Sequence, residues 1–414
     1  MSLRPGHGTA VTLLDGQVDT IVHLDSPNPR ALLDELGPLH EIQMVGIDLS
    51  ELLGVAVVDG TADPVVMVRI TPRPAIDRVL AGHPSSRVEH LIAHRFTVRG
   101  GHDLYGRDLA ELDVSAATAL CDRPEMASAK GIAVLATGSA AQSRHERDVA
   151  DLLQFAFPET HISIAGDFGG LGLAPREATV VLDAALSGVA GRLAGELLDA
   201  TARLPDVPVM IGRCDGGLTT LTGLRTHPVS VLQSAPALRV LAAAHRSGHT
   251  DCRVVLTLGH PDSDPVGVPF IGEVRSGLVS AQPYLTTALA ADLVIPTAQL
   301  APFAGYVDDD DVGSTPLVIN GDDPDELAAV GAALSRPAAW LDEIAQIENQ
   351  DQLDRIRQAA KERAVAIAIA NGTAPGTAEF VDVSTVAVPY SPSGTVRLRV
   401  RVAGRHRDAG RERR

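Results

Sequence analysis

Short apolar runs alternate with longer amphipathic segments along most of the chain, a pattern typical of an α/β protein. Each run is bounded by Gly, Pro or charged residues, as strands usually are. We therefore expect strands over residues 11–14, 44–47, 55–58, 65–70, 132–136, 161–164, 209–211, 229–232 and 254–258.

The helical segments show apolar residues at spacings of three and four. The longest places six apolar residues on one face, which is how a helix covers a sheet: Ala178, Leu182, Ala185, Val189, Leu193 and Leu197. Further helices are expected from about residue 144 and over 353–371. Near the end, valine and leucine alternate with arginine over 396–402, which predicts a strand with one buried and one wet face.

This order of elements predicts two lobes with a boundary near residue 165. We place the first lobe at 1–165 and the second at 166–402. The remaining residues, 403–414, are polar and are expected to form a disordered tail.

Composition narrows the class of protein. The 414 residues are enough for two or more domains with a large core, and the formal net charge of −17 disfavours nucleic acid and anionic membranes as partners. The three cysteines are far apart, so neither a disulfide framework nor a thiolate zinc site is indicated. We find no signal sequence or long uncharged apolar run, and we expect a cytoplasmic protein.

The most informative stretch is residues 208–237, where an apolar strand runs into the turn Asp215-Gly216-Gly217 and a later loop begins at Ser234. Glycines in such turns let backbone N–H groups approach an anion or a polar ligand. Glycine after aspartate also occurs in ordinary surface bends. Of the residues in this stretch, Asp215 is the best candidate for a polar site role.

Other segments combine glycine, histidine and acidic residues at fixed spacing. They read GHDLYGRDL at 101–109, RHER at 144–147 and EATVVLDAAL at 177–186. Together with the Asp-Gly-Gly turn, the SAPA loop at 234–237 and the C-terminal helix and strands over 353–392, they resemble the A-type subunit of the hydantoinase/oxoprolinase family. In that family the loop typically reads SGPA, one residue different from this chain.

The resemblance implies a two-lobed actin-like ATPase (ribonuclease H-like) fold, here divergent and shortened. It also implies Mg-ATP as cofactor, cyclic amide hydrolysis (hydantoin, 5-oxoproline or a related lactam) as the chemistry, and a B-type second subunit as partner. In such proteins, acid-bearing glycine turns hold phosphates and Mg²⁺.

Each expected phosphate turn departs from the family pattern. The first, at residues 4–10, contains Gly6 and Gly8 but has Ala10 where an acid is expected, and its first strand is missing or much shortened. The second, at 257–264, keeps only Gly259 and Asp264. In the third, acids at 322 and 323 follow Gly321, where glycines are expected, and would repel a nucleotide.

The candidate site residues follow from these turns. As catalytic candidates we take Asp215, His260 and Asp264, and as cofactor-binding candidates Gly6, Gly8, Gly216, Gly217, Ser234, Gly259 and Gly321. His7, His102 and His145 complete the set that a catalytic hypothesis would collect, although His145 with Glu146 at a helix start is more typical of capping or packing. We assign no metal site, because the acidic run at 308–311 is typical of a solvated loop.

Two functional hypotheses from different classes remain open. One is a hydantoinase/oxoprolinase-type hydrolase with reduced ATPase activity, and the other is a non-catalytic relative that serves as a partner subunit or small-molecule binding module. We expect the turns at Gly6, Asp215, Gly259 and Gly321 to converge within roughly 20 Å, about two helix diameters. An oligomer or a complex with a second subunit is expected to form through the apolar region 266–302.

Overall fold

The fold was analysed in a computed structural model of the 414-residue chain. It describes residues 1–37, 42–73, 82–170, 172–204, 206–258, 270–280, 317–321, 323–389 and 391–407. The candidates Gly259, His260 and Asp264 and the acidic run at 308–311 lie outside these residues.

The chain begins with an antiparallel meander that continues into a parallel strand. The elements are β1 (Ser2–Arg4), β2 (His7–Leu14), β3 (Gln17–Leu24), α1 (Pro29–Glu35), β4 (Val45–Ile47) and α2 (Ser50–Val58). The first strand is thus present but only three residues long. It runs parallel to the end of β4, since Leu3 N–H donates to the Asp48 carbonyl at 3.0 Å and Asp48 N–H to the Met1 carbonyl at 2.8 Å.

An inserted domain follows, built on a parallel sheet. Its elements are β5 (Val65–Thr71), α3 (Ser86–Leu91), β6 (Ile92–Arg99), α4 (Val114–Leu120), α5 (Pro124–Ala127), β7 (Gly131–Ala136), α6 (Arg144–Ala156), β8 (His161–Ile164) and α7 (Leu173–Thr201). The strand order is β6-β5-β7-β8, with all pairs parallel. From β5 the chain first adds β6 on one side and then adds β7 and β8 on the other side. The carboxyl ends of β5 and β7 therefore form a topological switch point.

Helix α7 is the central support of the insertion. A Cβ atom at Gly131 of β7 would lie only 2.5 Å from the carbonyl oxygen of Ala184 in α7. Only glycine therefore allows α7 to approach β7 this closely. Among the described residues α7 alone is long and apolar enough to cross a membrane, but 67% of its most apolar window is buried inside the protein. This burial is consistent with the core helix of a soluble protein.

After the insertion the chain returns to the first sheet and then forms a second one. The elements are β9 (Val209–Gly212), β10 (Leu218–Thr220), α8 (Leu221–Thr226), α9 (Ser234–Arg246), β11 (Cys252–Leu258), β12 (Phe270–Arg275), β13 (Leu278–Ser280), β14 (Leu317–Gly321) and α10 (Pro324–Leu334). Strand β9 pairs in parallel with β4. The second sheet has the order β13-β12-β11-β14, with β14 parallel to β11 and the other two pairs antiparallel.

The two sheets repeat one arrangement. The order β3-β2-β1-β4 in the first sheet corresponds to β13-β12-β11-β14 in the second, with the same directions. This repetition is the duplication expected of a two-lobed actin-like fold, and the α/β prediction is confirmed. Helices α9 and α10 pack against each other between the sheets, and Gly331 in α10 would place a Cβ 2.0 Å from the Leu238 carbonyl.

The C-terminal part adds a small antiparallel sheet. Its elements are β15 (Ala338–Gln346), α11 (Gln350–Ala370), β16 (Glu379–Ala387) and β17 (Thr395–Ala403), in the order β15-β17-β16. A row of alanines on α11 packs against β17, and the buried set is Ala360, Ala364, Ala368, Leu398, Val400 and Val402. The predicted helix over 353–371 and the C-terminal strands are therefore confirmed.

Two predicted strands are wrong. Residues 55–58 are the last turn of α2, whose buried residues Ser50, Leu53, Ala56 and Val57 follow helical spacing. A short apolar run cannot distinguish strand from helix by periodicity. Residues 229–232 form a 3-10 turn and the residues that follow it, and Pro228 at the first position favours that turn.

Three other expectations need correction or comment. The arginine face of β17 is not uniformly wet, because Arg401 is buried. The disordered tail cannot begin at 403, since Arg407 N–H donates to the Gly372 carbonyl at 3.0 Å and His406 bridges Thr373; residues 408–414 lie outside the described part. The boundary near 165 stays a prediction, although β4 and β9 from either side of it share one sheet.

We predict that Gly138→Ala strongly destabilises the fold. Gly138 follows β7 with φ of 75°, and a Cβ there would lie 2.0 Å from the His102 carbonyl. Backbone strain plus this clash should reduce the free energy of unfolding by about 3 kcal/mol or more. Gly60→Ala is the matched control, because Gly60 has φ of 70° but nothing within 4 Å. It should lose only about 1–2 kcal/mol in urea unfolding, and equal losses in both variants would contradict the packing argument.

Candidate functional site at the carboxyl edge of the first lobe

The carboxyl ends of β1, β4 and β9 lie side by side at one edge of the first sheet. In open α/β sheets this edge is where ligands bind. The segments that leave it are the turn at residues 4–7, Asp48, and the turn from Arg213 to Gly217. The amino-terminal turns of α2, α9 and α10 complete its walls.

Asp48 ends β4 and is 1% exposed. Its Oδ1 accepts the Ser234 hydroxyl at 2.6 Å and the Ser50 N–H at 3.1 Å, and its Oδ2 accepts the Ser2 hydroxyl at 3.3 Å. Sequence reasoning missed this residue, although an acid directly after an apolar strand was a usable signal. Ser234 was predicted to bind a cofactor, but its hydroxyl is committed to Asp48.

Asp215 is fully buried beside two arginines. Arg213 approaches its carboxylate through Nε at 3.2 Å and Nη2 at 3.4 Å, and Gly217 N–H donates to Oδ1 at 3.1 Å. Burial raises the pKa of Asp215, but Arg213, Arg401 and these hydrogen bonds outweigh it and hold the pKa below its ordinary value. The carboxylate is therefore ionised and already paired within the protein.

The glycines of this turn serve packing. Gly216 has φ of 76° and would place a Cβ 3.0 Å from Val279, and Gly217 would place one 2.5 Å from Ala338. These contacts join the turn to the second sheet and to β15. Neither glycine is needed for approach to an anion in this arrangement.

The first and third expected phosphate turns are joined by an ion pair. Arg4 Nε lies 2.8 Å from Asp325 Oδ2, and Asp325 is 2% exposed at the start of α10, just after Gly321. Arg239 from α9 reinforces the link by donating to the Pro324 carbonyl at 2.9 Å and to Glu51 at 3.0 Å. His7 lies 4.0 Å from the same Asp325 oxygen.

The remaining predicted turns can be placed relative to this ion pair. Leu258 is the pairing partner of Gly321, so the chain enters the second turn beside the third. Val279 N–H in β13 donates to the Asp215 carbonyl at 2.9 Å, and β13 is three strands from β14, or about 14 Å. Of the remaining first-turn glycines, Gly6 faces open space, whereas Gly8 packs against Leu32.

A further buried carboxylate, Asp183 of α7, adjoins this edge and was not predicted as a site residue. It accepts the Ser163 hydroxyl at 2.8 Å and the Val229 N–H at 3.2 Å, and its Oδ2 lies 3.3 Å from His161 Nε2 and 3.9 Å from His227 Nδ1. Burial raises the pKa of Asp183, but hydrogen bonds from the two histidines lower it to about 2. The pair with Asp183 outweighs burial and raises the pKa of His227. Asp183 thus ties α7, β8 and the 227–229 segment together.

His102 and His145, two other histidines of the catalytic hypothesis, lie away from this edge, in the inserted domain. Glu146 accepts the N–H groups of Ala136 at 2.6 Å and Gly166 at 2.7 Å. These bonds join the ends of β7 and β8. They support the packing interpretation of the His-Glu segment.

We predict that Asp215→Asn destabilises the protein through buried charge. The variant leaves the buried guanidinium group of Arg213 without the carboxylate that it contacts at 3.2 Å, which should reduce the free energy of unfolding by about 3–5 kcal/mol. Asp122→Asn at an exposed position is the control and should change it by less than about 0.5 kcal/mol. Urea unfolding measures both, and a neutral Asp215→Asn would refute the structural role.

The fold of this chain is similar to that of two solved structures. No protein-family model and no curated protein matches the chain. Its fold is similar to that of the ATP-dependent caprolactamase from Pseudomonas jessenii, with a TM-score of 0.65 and 13% identity over 96% of this chain and 86% of that chain. It is also similar to nucleotide-free acetone carboxylase, with a TM-score of 0.58 and 12% identity over 95% and 79% of the two chains. At 12–13% identity the likeness shows the fold alone, and it confirms the predicted two-lobed α/β fold.

Proposed function

We propose that this protein is a divergent hydantoinase/oxoprolinase-type protein in which ATP-dependent hydrolysis of a cyclic amide is lost. The retained fold then serves as a partner subunit or a small-molecule binding module. One observation carries the proposal: the carboxylates of Asp48 and Asp215 are buried and bonded to protein groups. Mg²⁺ requires accessible carboxylate oxygens and several waters, so these residues do not fit the metal of the family.

The start of α10 also disfavours a phosphate ligand. A helix N-terminus attracts anions because its first N–H groups lack partners. Here Asp323 caps the helix, and its Oδ1 accepts Asp325 N–H at 2.8 Å and Glu326 N–H at 3.3 Å. Two further acids in the first turn add negative charge. A polyanion would therefore meet repulsion at this position.

The second candidate is an enzyme with reduced activity. Both similar proteins take part in ATP-dependent reactions, and the match to this chain covers 86% and 79% of their lengths. That hypothesis requires Arg4 and Asp325 to separate and Asp48 to exchange its serine partners for a metal. Binding of nucleotide therefore distinguishes the two candidates directly.

We predict weak or undetectable binding of Mg-ATP. Calorimetric titration should give a dissociation constant larger than about 100 μM. The reasons are that the carboxylates of Asp48 and Asp215 are buried and bonded to protein groups, and that the third turn is acidic. The caprolactamase serves as a control of the same fold. A constant in the low micromolar range or tighter, with magnesium present, would overturn the proposal.

We further propose that the protein acts in an oligomer or with a second subunit. With the nucleotide site sealed, recognition through the surface is the simplest remaining role, and the apolar region 266–302 is the proposed contact. We expect light scattering to show a species larger than 43.2 kDa, or purification from the native host to recover a second protein. A strict monomer at high concentration with no co-purifying protein would contradict this.

A further inference from the structure

We propose that the segment 100–109 is a pH-released cover over the switch point of the inserted sheet. This segment belongs to the inserted domain and not to the carboxyl edge of the first sheet, so the inference does not depend on the proposed function. It arises from two buried histidines that hold the segment in place, His102 and His145.

The segment lies across the carboxyl ends of β5 and β7, where α/β sheets commonly bind ligands. Gly100 N–H donates to the Thr71 carbonyl at 3.1 Å, and His102 N–H donates to the Thr137 carbonyl at 2.9 Å. Leu109 N–H closes the loop by donating to the Gly101 carbonyl at 2.9 Å. The cover therefore depends on a few backbone bonds at this edge.

One side-chain bond fixes the protonation state that the cover requires. His145 Nδ1 accepts the Gly101 N–H at 2.9 Å, and the rings of His102 and His145 are 4.1 Å apart, with both residues no more than 2% exposed. An imidazolium carries hydrogen on both nitrogens. Protonation of His145 would therefore set two donors against each other and break the contact with Gly101.

The same bond argues against a metal ion. His102, Asp108 and His145 offer ligand atoms within 4.8 Å of one another, as a metal site would. A metal-binding imidazole normally binds the metal through one nitrogen and donates the N–H of the other. In His145, Nδ1 accepts the Gly101 N–H, so the ring proton lies on Nε2. Neither nitrogen is therefore free to bind a metal. Arg144 also donates to both oxygens of Asp108, at 2.8 and 3.0 Å. His145 and Asp108 are thus already engaged in bonds within the protein.

The surroundings of His102 favour its neutral form. Burial lowers the pKa of His102, and His145 and Arg144 lower it further, while Asp108 and Asp103 oppose this change. Asp108 Oδ1 is 3.1 Å from His102 Nε2, yet Arg144 shares that carboxylate. Protonating His102 places a second cation in this small space.

His145 responds in the same direction. Burial lowers its pKa, and Arg144 adds to this, while Asp108 and Asp148 oppose it. A histidine whose folded pKa is depressed contributes full stability above its unfolded pKa of about 6.5. That stability is lost as the pH falls from there through the folded value. Acidification therefore favours release of the cover.

Hydrogen exchange measured by mass spectrometry at pH 7.5 and 5.5 tests the proposal. After correction for intrinsic exchange rates, the peptide spanning residues 100–109 should exchange several-fold faster at pH 5.5, with about tenfold as the limit for one histidine, while a β17 peptide should not change. His145→Asn keeps an acceptor for Gly101 N–H but cannot be protonated, so its pH response should be smaller than that of the native protein, with only His102 left to titrate. His249→Asn, at an exposed histidine, should respond like the native protein.

The result is decisive in either direction. Equal protection of the segment at both pH values, or release in His145→Asn as large as in the native protein, would overturn the proposal. So would zinc chloride increasing its protection at pH 7.5, which would indicate a metal site. If His145→Asn does not fold, His102→Gln provides the second test: release should move to lower pH, and an unchanged release pH would contradict the proposal.

Discussion

The partners of the buried carboxylates constrain most of the first lobe. A carboxylate removed from water needs a counter-charge or several hydrogen bonds, because leaving it unpaired would cost several kcal/mol. Asp48 takes its partners from β1, α2 and α9, and Asp215 takes Arg213 and Gly217 from its own turn. The bonds of Asp48 hold the strand β1 and the helices α2 and α9 together at the edge where a ligand would enter. The same partners therefore stabilise the lobe and occupy this edge.

The ion pair between Arg4 and Asp325 extends this principle across the molecule. Arg4 ends the first strand and Asp325 lies at the start of α10, so this contact joins the beginning of the chain to the end of the second sheet, and Arg239 adds a bond to the Pro324 carbonyl. Asp325 is buried, and burial raises its pKa, so Arg4 and Arg239 are needed to keep it charged.

The sequence predicted the fold better than the site. Long periodic segments such as α7 and α11 were placed correctly, since a stripe of apolar residues over many turns allows few alternatives. Residues 55–58 were misassigned because four β-branched or small residues fit either a strand or a helix end. Glycines at 216 and 217 suggested phosphate binding, but their real neighbours, Val279 and Ala338, lie far away in sequence. Asp183, His161 and His227 were missed for the same reason, because contacts between residues so far apart in sequence leave no local pattern.

The pairing of β4 with β9 also has a consequence during synthesis. Val45 pairs with Val209, so the partner of β4 follows 164 residues later (209 minus 45). At a translation rate of about 5–20 residues per second, one edge of β4 waits roughly 8–33 seconds for that strand. The inserted domain has its own parallel sheet and core, and it can fold first within this interval. Completion of the first sheet therefore waits until about half of the 414 residues have been made, and during this interval the unpaired edge of β4 is accessible to chaperones and to neighbouring chains.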